Sequence, residues 1–110
     1  MALTRDFKET VVSRVKSEPA FAQALLDEAL TLLLNGDPET AKLILRDLAN
    51  ATIGFEALAG DLHKPSKSLH RMLSRAGNPT MENLSAILVG IKKALRVDIR
   101  AVVSPTGPPC

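Results

Sequence analysis

Strong helix-stopping signals divide this chain of 110 residues, and between them the apolar residues recur at helical spacing. Pro19, Asn35-Gly36, Asp37-Pro38 and Gly77-Asn78-Pro79-Thr80 are the breaks. A first helix is predicted over about Thr4–Ser17, with Thr4 as its cap and Phe7, Val11, Val12 and Val15 on one apolar face. A second is predicted over about Pro19–Asn35, with proline in its first turn. The third opens on Asp37-Pro38-Glu39, where Asp37 can cap and Pro38 suits the first helical position; Leu43, Ile44, Leu48 and Ala51 form its apolar face. Three more are expected over about Phe55–Leu62, Ser66–Ser74 and Met81–Leu95, the last capped by Thr80 with Asn83 in its first turn. Only Val97 to Val103, VDIRAVV, shows the alternation of a short strand. The expected fold is all-α, a bundle of five to six helices with that segment as its one candidate strand.

With three Phe and no Trp or Tyr among 45% hydrophobic residues, the core must be aliphatic. The length suits one domain over 1–103, comprising N-terminal helices over about 4–35 and a second region over about 37–97. The tail 104–110 has three prolines in seven residues, so it is expected to be extended or disordered. The second helix is apolar on nearly every side, from Phe21 and Ala22 to Leu33 and Leu34. Such a helix is either central or covered on one face by another chain. For so small a protein the second arrangement, a homodimer, is expected.

Several function classes drop out. The single Cys, Cys110, cannot close an intramolecular disulfide. The opening MALTRDFKET has no apolar signal core. The apolar-rich run Ala20–Leu34 is interrupted by Gln23, Asp27, Glu28 and Thr31, so no membrane span is expected and the cytoplasm is the default location. His63, His70 and Cys110 are not at metal-ligand spacing, and neither a metal nor another cofactor is expected. Glu56 and Asp61 lie five apart on a short helix and do not face one another as an acid–base pair. Ser68 and Ser74 lack a base, and Gly36, Gly54, Gly60 and Gly77 do not make a phosphate loop. No catalytic residue is assigned, and the expectation is a non-enzyme.

Charge points elsewhere. The net +2 combines a balance of −1 over residues 1–36, −3 over 37–62 and +6 over 63–103. The basic region coincides with two short predicted helices over about 54–75, the second of them cationic. This is the pattern of a helix-turn-helix that presents its second helix to the major groove of double-stranded DNA. Leu69, Met72 and Leu73 would pack inward against Leu58, Leu62, Leu84 and Leu88. Ser66, Lys67, Ser68 and Arg71 are then the base-contact candidates. Lys64, His70, Arg75 and Asn78 suit phosphate contacts, with free N–H groups at helix starts adding to the grip.

LAGDLHKPSKSLHRMLSRAGNPTMENL resembles the helix-turn-helix of the HigA-like antitoxins, the DNA-binding prophage or addiction-module antidote proteins of the lambda-repressor-like class. The matching elements are Leu58-Ala59, the run Lys67 to Ser74, Gly77-Asn78-Pro79 and Asn83-Leu84. The preceding GDPETAKLILRDLANATIGFEALA is similar to the family's lead-in, which extends the resemblance over about Gly36 to Val97. The resemblance implies a dimeric repressor of its own operon that neutralises a small ribonuclease toxin of the RelE/ParE type. The chain departs from the family pattern in its turn. His63 stands where glycine is usual, at a cost of roughly 1 kcal/mol for positive φ, and Pro65 stands where many relatives have a serine cap; it could open the next helix as its first residue. The alternative is a small helical module that binds only protein, a toxin or its own copy, with the cations as a solvated face.

Overall fold

The structure, a computed structural model, describes residues 5–107, with side chains from Thr10 onward. The described residues hold six helices: α1 (Arg5–Ser17), α2 (Pro19–Leu34), α3 (Pro38–Ala51), α4 (Phe55–Leu62), α5 (Ser66–Met72) and α6 (Met81–Leu95). The boundaries follow the local signals. Pro19 and Pro38 occupy first helical turns, where a missing N–H costs nothing. Asp37 Oδ1 accepts from the Thr40 N–H at 3.2 Å, and Thr80 Oγ1 accepts from the Asn83 N–H at 3.1 Å. The expected cap Thr4, the Phe7 side chain and residues 108–110 lie outside the described residues.

Three helices end in the same way. At the end of α2, Gly36 has φ +95°, and the Asp37 N–H reaches back to the Leu32 carbonyl at 2.8 Å. His63 (φ 56°) after α4 and Arg96 (φ 57°) after α6 repeat the device without glycine; the Lys64 N–H bonds the Ala59 carbonyl at 3.0 Å, and the Val97 N–H bonds the Lys92 carbonyl at 3.1 Å.

α1, α2 and α3 pack on one another, α4 packs on α5 and α6, and α3 and α6 join the two groups. α2 touches α1, α3 and α6 and buries Ala22, Leu26 and Ala29, so it is central within the chain. The core is aliphatic apart from Phe55; Leu45, Leu48, Leu58, Leu69, Leu73, Ile87 and Ile91 are its largest fully buried side chains.

Three details differ from expectation. The buried stripe of α3 runs through Ala41, Lys42, Leu45, Leu48 and Ala49, while Leu43 is 42% exposed. With Leu43, Ile44 and Leu45 consecutive, the phase of that face is set by the helices packed on it and not by α3 alone. The cationic helix stops at Met72, because Ser74 Oγ donates back to the Arg71 carbonyl at 2.7 Å and the chain turns away. Residues 97–103 form no strand: among the described residues every element is a helix, so none of them offers a neighbour to complete a ladder.

Candidate nucleic-acid interface

α5 is seven residues long, too short to be stable alone, so its neighbours must hold it. Leu69 and Leu73 are fully buried, and Met72 packs against the same core, as do Leu62, Leu84 and Leu88. Gly90 brings α6 close to α4; a Cβ there would sit 2.7 Å from Leu58 Cδ1.

The turn His63-Lys64-Pro65 aims α5. His63 takes the left-handed conformation expected of a glycine. Pro65 is not the first helical residue: its ψ of 146° is extended, and α5 begins at Ser66. The Ser68 N–H bonds the Pro65 carbonyl at 2.9 Å, and no side chain caps the helix. Proline fixes φ at about −65°, a value shared by the extended N-cap conformation that Pro65 adopts.

The sequence-derived candidates sort by position. Lys64, Lys67, His70, Arg71, Arg75 and Asn78 are exposed; Ser66 and Ser68 are half-buried. Ser68, Arg71 and Asn78 line one shallow depression with Ser74, Ala76 and Gly77, so donors from α5 and the α5–α6 loop face the same space. The side chains of Lys64, Lys67 and Arg71 make no ion pair among the described residues and are available to an anion. His70 is partly engaged, its ring stacked on Phe55 at a centroid distance of 4.1 Å. Arg75 turns toward the start of α3, its Nε 3.5 Å from Glu39 Oε2 in an exposed pair, and so stands apart from the group around Arg71.

One contributor escaped the sequence reading. Lys42 on α3 is 8% exposed, and its Nζ donates to the Arg75 carbonyl at 3.0 Å and to the Gly77 carbonyl. A buried ammonium is costly unless its hydrogen bonds are met, and here two loop carbonyls meet them. Lys42 thereby ties the exit of α5 to the N-terminal helices. Lys42 shares a helical stripe with Leu45 and Ala49, both fully buried, but with Leu43, Ile44 and Leu45 consecutive the sequence alone does not select that stripe. Lys42→Met keeps the stem and removes the donor. It is expected to lower stability by about 2 kcal/mol in urea denaturation; a loss below about 0.5 kcal/mol would mean the loop carbonyls find water instead.

The described residues contain no group of three or more His, Cys, Asp or Glu side chains positioned to hold a metal ion, and no helix long and apolar enough to cross a membrane. The arrangement offers hydrogen-bond donors and positive charge on a rigid helix. No family model, curated protein or solved structure matches the chain.

Proposed function

We propose that the protein is a sequence-specific DNA-binding transcriptional regulator, with α5 as the helix that enters the major groove. The observation that supports this reading is a short helix with a fully buried back, Leu69 and Leu73, and an exposed cationic front, Lys67 and Arg71, behind a fixed turn. Lys64 would neutralise phosphate and supply part of a salt-dependent baseline affinity, with Lys67 in the first turn of α5 as a base-contact candidate. Arg71, grouped with Ser68 and Asn78, would add base discrimination, since a guanidinium can pair bidentately with guanine. A homodimer would set two such helices about 34 Å apart and favour a palindromic site.

The resemblance to HigA-like antitoxins extends the proposal. On it, the regulator represses its own operon and neutralises a RelE/ParE-type toxin encoded beside it. The acidic balance of residues 37–62 suits a basic partner of that kind. A neighbouring reading frame for a small basic toxin, and a complex on co-expression, are the expected results; without them the protein is a regulator that acts alone.

Arg71→Ala is expected to weaken binding to a selected operator by about 1–3 kcal/mol while binding to random DNA changes little. Operators from a randomised duplex library, followed by gel shift on both DNAs, provide the measurement. An equal loss on both would reduce Arg71 to a phosphate contact. Failure of the wild type to retain any duplex at low salt would leave the protein-only module.

A further inference from the structure

Residues 97–106 follow α6 without helix, turn or bend. The Val97 N–H is bonded to the Lys92 carbonyl, but beyond it no backbone group from Asp98 to Ser104 takes part in a backbone hydrogen bond among the described residues. The segment has strand periodicity: Val97, Ile99, Ala101 and Val103 fall on one side, Asp98, Arg100 and Val102 on the other. Val102 is 86% exposed and Val103 97%. An unpaired edge of this composition is a template for another chain, and no strand among the described residues can occupy it.

The segment is also complementary to itself. In an antiparallel pair with a two-fold axis through Ile99, Asp98 of one copy stands opposite Arg100 of the other, and the symmetry makes the contact twice. Val97 then stands opposite Ala101. A two-stranded ribbon alone is marginal in water and needs a surface to pack on. An open groove between this segment and α2, lined on the α2 side by Ala20, Ala24, Leu26 and Leu30 together with the polar Gln23 and Asp27, supplies one.

We infer that residues 97–101 of two copies pair as an antiparallel β-ribbon centred on Ile99 and seated against α2. The inference rests on the homodimer of the proposed function and names its contact surface. Asp98 also pairs with Lys92 of its own chain at 3.2 Å; that contact is exposed on the Asp98 side, and Arg100→Asp leaves it intact.

The test reads oligomeric state in the full chain without DNA. In sedimentation equilibrium, Asp98→Arg and Arg100→Asp each set two like-charged pairs face to face. Each is expected to raise the dimer dissociation constant about tenfold. The double variant, with the charges exchanged, is expected to return to within about threefold of wild type. In a Cys110→Ser background, Ile99→Cys lies opposite its own mate and is expected to form a disulfide-linked dimer under mild oxidation. Val103→Cys is more exposed but would face another part of the partner, and it should remain reduced. A wild-type dimer indifferent to both single variants, or a double variant that is not rescued, overturns the ribbon and leaves the dimer standing. A monomeric wild type overturns both. Cross-linking of Val103→Cys as fast as Ile99→Cys overturns the register and with it the inference.

Discussion

Gly77→Ala is expected to destabilise the protein by about 3 kcal/mol or more. A Cβ on Gly77 would lie 2.0 Å from the Arg71 carbonyl oxygen and 2.6 Å from that of Met72. Both are backbone atoms at the end of α5, so no rotamer change relieves the clash; the loop must move. Moving it also strains the Lys42 bond to the Gly77 carbonyl. Gly60→Ala is the control, because nothing lies within 4 Å of its Cβ and it sits inside α4. That change should be neutral or stabilising by up to about 1 kcal/mol, since alanine outranks glycine in a helix. The paired comparison in urea separates a steric requirement from a general intolerance of glycine replacement. Equal stability of the two variants would show that the loop relaxes freely and that its close approach to α5 is dispensable.

Leu69→Ala is expected to cost about 2–5 kcal/mol. Leu69 is fully buried and, with Leu73, anchors the short α5. A helix of that length gains almost nothing from its own hydrogen bonds without packing. The loss should therefore appear locally, as faster amide exchange in α5 and its flanking turns, before it appears as global unfolding. On the proposed function, operator affinity should fall with it, because an unanchored helix must be ordered again on binding. Lys67→Ala, on the exposed side, should alter stability by no more than about 0.5 kcal/mol. Uniform exchange across the whole chain in Leu69→Ala would show that α5 unfolds only with the rest of the domain.

The helix boundaries were legible because their causes are local. Pro19, Pro38, Asp37, Gly36 and Thr80 act within a turn of where they stand, and each sits at a helix end or its cap. The back of α5 was legible for the same reason, Leu69 and Leu73 being fixed by helical spacing and the flanking stops. What could not be read depends on distant residues. Leu43 and Leu45 are equally apolar, and only the packing of α3 against its neighbours makes one exposed and the other buried. Lys42 reads as an ordinary surface lysine until the loop 33 to 35 residues later is folded onto it. The alternation of VDIRAVV was a sound pattern, but a strand needs a partner and the described residues contain none. Within the candidate site, residue types were legible and their grouping was not. Arg75 reaches toward Glu39 because the loop after α5 folds onto α3, and His70 lies on Phe55 because α5 packs on α4.

On the proposed function, the brevity of α5 limits how much sequence it can read. Seven residues of helix measure about 10 Å, the rise of roughly three stacked base pairs. Three base pairs recur by chance about once in 64 positions, against a genome that offers about a million competing sites or more. Two copies on one duplex would read about six, still too few to define a unique address by base contacts alone. The remaining discrimination would have to come from the distance between half-sites, held constant by the dimer, and from how readily the intervening DNA bends. On that reading, the spacing of the two copies would itself be part of the message.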